Sequence, residues 1–203
     1  MALPETILPT ASAKRFCVSM NAFISDLLHA GIVQFGRFRH GERVAPFLLS
    51  LELLPSYPDL LRQSAQHLIS CLPGEVDRLL CLQDSLPLAV ALGLESGLPV
   101  IYSRQTANTA SLALAGAYDI GHKTTLILNA LGQSSFPAGL VSHAERVGLS
   151  VVSAAGLIAL DRDAPVPACA PLTLSEIAQA AHKVGGLSSQ QMQAVQTWRP
   201  THH

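Results

Sequence analysis

Few side chains in this sequence are equipped for chemistry. Cys17, Cys71, Cys81 and Cys169 are its four cysteines. No pair is spaced C-x-x-C and none has a histidine at ligand spacing. Neither a metal site nor a disulfide framework is therefore expected, and the four read as free, mostly buried thiols of a reducing cytoplasm. Eight histidines are present, of which His202 and His203 close the sequence. Four connecting stretches hold the other candidates to inspect: Gln83-Asp84-Ser85, residues 103–123, residues 129–135 and the turn after Leu160.

These stretches matter because of the elements that flank them. A short apolar strand is expected over 78–82, a helix over 86–96 with Pro87 in its first turn, and a strand over 98–102. A β-branched strand over 124–128, a helix over 136–147 ended by Gly148, and a long apolar strand within 149–160 follow. Strands alternating with helices of about ten residues predict a parallel sheet covered on both faces. Continuously apolar strands fit that burial. Ligands of such folds sit at the carboxyl ends of the strands, which is where the four stretches fall.

Before this unit, Asn21 is the expected cap of a helix carrying Phe23, Ile24, Leu27 and Leu28, stopped by Gly31. Residues 32–54 alternate and are expected to form a hairpin region turning at Gly36 and Gly41. Ser56 or Tyr57 opens a helix with one apolar face. A last helix is expected over 173–184, capped by Ser175 and ended by Gly185-Gly186. Pro4 and Pro9 oppose an early helix, and no apolar run follows Lys14-Arg15, so no signal peptide is expected.

The composition narrows the function classes. Charged residues are 13% of the 203, against roughly 25% in ordinary soluble proteins. Apolar residues are 49% and the mean hydropathy is +0.34. Disorder is excluded by this balance. With 13 Lys+Arg against 14 Asp+Glu there is no global positive field for nucleic acid. The longest apolar stretches, 86–94 and 151–160, are well below the roughly 20 residues of a membrane span. No membrane association is expected.

The order of segments over roughly 21–180 resembles the orotate phosphoribosyltransferases. Gln34-Phe35-Gly36-Arg37-Phe38 is similar to the family's K-F-G-E-F, and Ala45-Pro46-Phe47-Leu48-Leu49-Ser50 to its S-P-Y-F-x-N. Leu86-Pro87-Leu88-Ala89 matches I-P-L-A, Ser103-Arg104 ends a strand where the family has R-K-E, and Leu160-Asp161-Arg162 matches L-D-R. Leu172 to Ile177 is similar to the start of the closing helix. The resemblance implies a type I phosphoribosyltransferase-like α/β fold in one domain, with a small N-terminal hood (21–55) on an α/β core (56–185). It implies a cytoplasmic homodimer and transfer of ribose 5-phosphate from phosphoribosyl pyrophosphate to orotate with Mg2+. Phe35, Pro46, Phe47 and Arg162 fall where the family packs and hydrogen-bonds the base, and Arg104 on the leaving-group side. The Phe residues can equally be hood core, and Arg162 an ion-pair partner of Asp161 or Asp163.

The departures are concentrated where the family does chemistry. Its V-D-D-V motif offers two carboxylates to ribose hydroxyls, and the next loop offers N–H groups to the 5-phosphate. Here Asn129 and Ala130 stand in that place, followed by Gly132, Gln133, Ser134 and Ser135. These residues are the candidate ribose and phosphate ligands; alternatively Ser134 or Ser135 only caps the next helix. The pyrophosphate loop lacks glycine and places Asp84 where an anion would bind. The family's basic mobile loop is replaced by residues 106–116, which carry no charge and are expected to be ordered, as a helix or against a dimer partner. Gln34 replaces the lysine of K-F-G. The expectation is a homologue without transferase activity that binds a small anionic or nucleotide-like ligand. No catalytic residue and no metal ligand is assigned. Two alternatives stand beside it: a divergent active transferase, the one case needing Mg2+, and a structural subunit paired with an active paralogue.

Overall fold

The computed structural model describes residues 19–40, 43–106, 109–132, 136–161 and 164–198. Its centre is a sheet in the order β5-β4-β3-β6-β7-β8, with β9 also on β7. The members are β3 (Arg78–Cys81), β4 (Val100–Thr106), β5 (Thr109–Ala115), β6 (Lys123–Leu131), β7 (Ser150–Ala159), β8 (Ala168–Cys169) and β9 (Leu172–Thr173). Every pairing is parallel except that of β4 with β5.

Both faces are covered, as the apolar runs require. Leu79 and Cys81 of β3 and Ile127 of β6 enter one core with α2 (Pro58–Leu68), α3 (Leu86–Ser96) and α5 (Leu174–Lys183). Leu80 of β3 and Leu126 and Leu128 of β6 enter a second core with Leu140 and Ala144 of α4 (Ala138–Arg146). Each side chain as large as Leu79 or Leu80, fully buried, is worth about 1.5–3 kcal/mol. That energy fixes the register and hence the level at which the strand ends stand.

The hood consists of α1 (Met20–His29) and the antiparallel hairpin of β1 (Val33–His40) and β2 (Arg43–Leu49). A 3-10 turn (Leu51–Ser56) leads from it to α2. Phe23, Ile24 and Leu27 bury one face of α1 in the first core. Phe23 stacks on His67 of α2 with ring centroids 4.7 Å apart, and burial there lowers the His67 pKa below its ordinary value. The final helix α6 (Ser189–Thr197) returns to the hood, where Trp198 meets Phe47 edge-on at 4.8 Å.

Several expectations need correction. Ser19, not Asn21, caps α1, accepting a hydrogen bond from the Ala22 N–H. Gly36 lies within β1 at a register shift between Phe35 and Phe38 and makes no turn; Gly41 lies outside the described residues. Thr173, not Ser175, caps α5, in a reciprocal capping box with Glu176. Residues 109–115 form a strand, not a helix, and pair antiparallel with β4 from Tyr102–Ala115 to Thr106–Thr109. Asn129 is not in a loop: β6 runs on to Leu131, whose partner on β7 is Ala159.

The largest correction concerns sulfur. Cys71 and Cys169 are not free thiols but form a disulfide with Cα atoms 5.3 Å apart. The fold brings the turn after α2 against the sheet edge, which residues 98 positions apart do not announce. Cys81 is free and buried, as expected, and Cys17 lies outside the described residues. No helix among the described residues is long and apolar enough to cross a membrane.

Candidate functional site

The carboxyl ends of β3, β6 and β7 lie side by side, and the expected polar residues collect there. Gln83–Ser85 forms a short 3-10 turn between β3 and α3. Ser85 is buried, with 1% of its surface exposed, and its hydroxyl bridges two elements. The Ser85 Oγ–H donates to Asp84 Oδ1 at 3.2 Å, and Oγ accepts the backbone N–H of Asn129 at 3.2 Å. Asn129 Nδ2 in turn donates to the Asp84 carbonyl oxygen at 3.1 Å. The loop after β3 and the end of β6 are thus stitched by two hydrogen bonds across a separation of 44 or 45 residues, and the Ser85–Asp84 bond steadies the loop side.

This stitching depends on an amide. A carboxylate at position 129 has no hydrogen to donate, so it would face the Asp84 carbonyl as acceptor against acceptor. The Asn129 side-chain N–H is therefore a donor to its own chain. Its neighbour Ala130, paired with Ile158 of β7, has no polar side-chain atom.

Gly132 is buried directly after β6, and a Cβ on it would stand 3.0 Å from Asp161 Oδ2. Glycine is needed there because the Asp161 carboxylate at the end of β7 comes that close. Asp84 follows β3 and Asp161 follows β7, the two strands that neighbour β6. Cys81, the thiol nearest this rim, has its pKa pushed up to about 12 by burial and then by the Asp84 charge, so it is not a nucleophile.

The remaining expected residues divide. Arg104 is exposed on β4, opposite Ala113 of β5, and so belongs to the hairpin arm. Phe35 and Phe47 are brought together as a directly opposed pair in the hood hairpin. Phe35 lines a cavity of about 870 Å³ between α1, β1 and α5. Phe47 is 7% exposed and packed on Trp198. Pro46, its neighbour in the strand, lines a different cavity of about 520 Å³ with Arg37 and Trp198. These cavities do not unite the three hood candidates. Gln133, Ser134, Ser135 and Arg162 lie outside the described residues. The N-cap position of α4 is Pro137, which has no capping side chain.

Ser85 was not foreseen as a site residue. Its one signal in the sequence is a hydroxyl immediately before a helix, which reads as an ordinary cap. No group of three metal-ligating side chains is assembled among the described residues.

No protein-family model matches the chain. Its fold does match solved structures. UMP synthase from Leishmania donovani is 25% identical over 88% of this chain, with a TM-score of 0.75; the chain spans 42% of that protein's length. Orotate phosphoribosyltransferase from Aeropyrum pernix is 18% identical over 82% of this chain and 99% of its own, with a TM-score of 0.66. Adenine phosphoribosyltransferase from Trypanosoma brucei, solved with AMP, pyrophosphate and ribose-5-phosphate, reaches a TM-score of 0.56 at 12% identity, over 79% of this chain and 83% of its own. The chain has the type I phosphoribosyltransferase fold, in the form found in orotate phosphoribosyltransferases.

Proposed function

We propose that this chain is an orotate phosphoribosyltransferase-like protein that binds a nucleotide-like ligand without transferring ribose 5-phosphate, as a regulatory homologue in nucleotide metabolism. One observation carries this reading: the Asn129 amide donates to the Asp84 carbonyl, with Ala130 beside it, at the strand end where a ribose diol needs carboxylates. The exposed Asp84 carboxylate beside that strand end favours a ligand of low negative charge over a pyrophosphate ester. The protein acts in the cytoplasm as a homodimer. Val90 and Leu94, one turn apart on α3 and 43% and 83% exposed, support an apolar subunit contact.

Two measurements test the reading. A coupled assay with orotate, phosphoribosyl pyrophosphate and Mg2+ should show no turnover; rates of about 1–10³ s⁻¹ would overturn it. Calorimetry should show orotidine 5′-monophosphate binding more tightly than phosphoribosyl pyrophosphate; the reverse order would also overturn it.

A second reading has a specific observation in its favour. Arg104 lies on β4, paired with Ala113 of β5, and in the resembling family the catalytic loop follows the corresponding arginine. In that reading the chain is a divergent transferase using Mg2+, with Gly132 and residues 133–135 holding the phosphate. Turnover abolished by Arg104→Ala would favour it.

A further inference from the structure

The Cys71–Cys169 bond lies on the half of the sheet away from the candidate site, and its two ends differ in access. Cys71 closes the 3-10 turn after α2 (Ile69–Cys71) and is 8% exposed. Cys169 is exposed on β8. A cavity of about 460 Å³ opens beside the bond, lined by both cysteines with Leu72, Pro167, Glu75 and Lys123. That volume accommodates a small molecule. Glu75 and Lys123 are paired with each other at 2.6 Å, so the wall presents no net charge.

The bond also holds a weakly held edge. β8 meets β7 over two register pairs, Ala154 with Ala168 and Ala155 with Cys169, with one further hydrogen bond from the Ala154 N–H to the Pro167 carbonyl at 2.9 Å. Directly before β8, the chain returns from Asp161 at the candidate site. Disulfides of cytoplasmic proteins are usually transient and redox-sensing rather than structural staples.

We propose that Cys71–Cys169 is a thiol–disulfide exchange site, with Cys169 as the attacked sulfur and a small thiol or dithiol as its substrate. A thiolate entering the cavity attacks Cys169 Sγ. A mixed disulfide forms there, the Cys71–Cys169 bond breaks, and its electron pair leaves on Cys71 Sγ, which takes a proton from water. With a dithiol, the second thiolate attacks the dithiol's own sulfur in the mixed disulfide. Cys169 is then released as a thiol and the dithiol leaves as its cyclic disulfide. The protein gains two electrons and two protons, and the dithiol loses them. Opening the bond frees β8 while β3, β6 and β7 stay paired, so the redox state is felt along the segment that leads from the carboxyl rim. The proposal is independent of which ligand that rim binds.

The experiment treats the full-length protein, oxidised in air, with glutathione and separately with dithiothreitol under native conditions. Peptide mapping should place the glutathione adduct on Cys169. Hydrogen exchange after dithiothreitol should rise at least tenfold over residues 164–170 with no change in β3, β6 and β9, and reoxidation should reverse it. Cys169→Ser should show the same exchange pattern without reductant, and Cys71→Ala should leave a Cys169 thiol that glutathione disulfide modifies. An adduct on Cys71, exchange rising across the whole sheet on reduction, or alkylation of both cysteines before any reductant would each overturn the proposal.

Discussion

The two ends of the central sheet solve the same packing problem with different chemistry. At the amino end, Lys123 opens β6 with its ammonium on Glu75 and its backbone N–H donating to Asp77 Oδ2 at 2.8 Å. Charge there is matched with charge, and the disulfide lies along the same cavity wall. At the carboxyl end, hydrogen bonds stand in place of ion pairs: a hydroxyl, an amide and two backbone groups join Ser85, Asp84 and Asn129. The Asp84 carboxylate there accepts a hydroxyl, and the Asp161 carboxylate stands against Gly132. In this fold the carboxyl end is where ligands bind. The contrast teaches that the rim meant for ligands has directed part of its hydrogen-bonding capacity inward, while the opposite rim keeps ordinary surface ion pairs.

The largest effect should come from crowding the carboxyl half. Gly156 lies level with Leu128 in the β6–β7 register, and a Cβ on it would stand 2.7 Å from Leu131 Cβ and 3.1 Å from the Leu131 nitrogen. Backbone cannot yield as a side-chain tip can. Gly156→Ala should cost about 3 kcal/mol, the upper part of the overpacking range. Thermal unfolding should then come about 6–12 °C lower. An unchanged melting temperature would mean that the end of β6 does not press on β7.

Next in size is the stitch itself. Ser85→Ala removes the acceptor of the Asn129 N–H and the donor to Asp84 at a position that is itself buried. The expected loss is about 2 kcal/mol, within the range for orphaning a buried group. Urea denaturation at constant m-value measures it. A loss indistinguishable from zero would show that water replaces the hydroxyl, and the rim would then be open to a ligand's hydroxyls after all.

How much of this could be read in the sequence follows from the range of the interactions. α3 was legible over 86–96 because Pro87 and Gly97 bracket an apolar run. The strands β3, β6 and β7 were legible because both faces of each are covered. The end of β6 was not: Asn129 reads as a loop residue, yet the strand continues because Leu131 is buried against β7. β5 was missed because its small residues carry little periodic signal, and α6 because only Val195 on it is buried, despite its Ser188–Gln191 capping box. The disulfide and the Ser85 bridge were invisible for a common reason. Each joins residues far apart in sequence, and only the strand order brings them together. The strand ends that carry the candidate residues were therefore legible, but which of those residues' atoms bond inward was not.

The smallest effect should be at the amino end. The Lys123–Glu75 pair is short, but the side chains are 47% and 82% exposed, so solvent screens it and two flexible chains must be ordered to form it. Its signature is in titration. Hydrogen bonding and charge attraction from Lys123 hold the Glu75 pKa below its ordinary 4.5, and Glu75 likewise holds Lys123 above 10.5. A depressed carboxyl contributes stability that is present above pH 4.5 and is lost as pH falls through the lowered value. A raised ammonium contributes stability that is present below pH 10.5 and is lost as pH rises through the raised value. Lys123→Met should therefore leave the neutral-pH melting temperature within error of the parent while moving the Glu75 titration, followed by NMR, back up toward 4.5. A marked loss of stability at pH 7 would instead make this pair a structural element of the amino rim, and the two ends of the sheet would then be held by bonds of comparable strength.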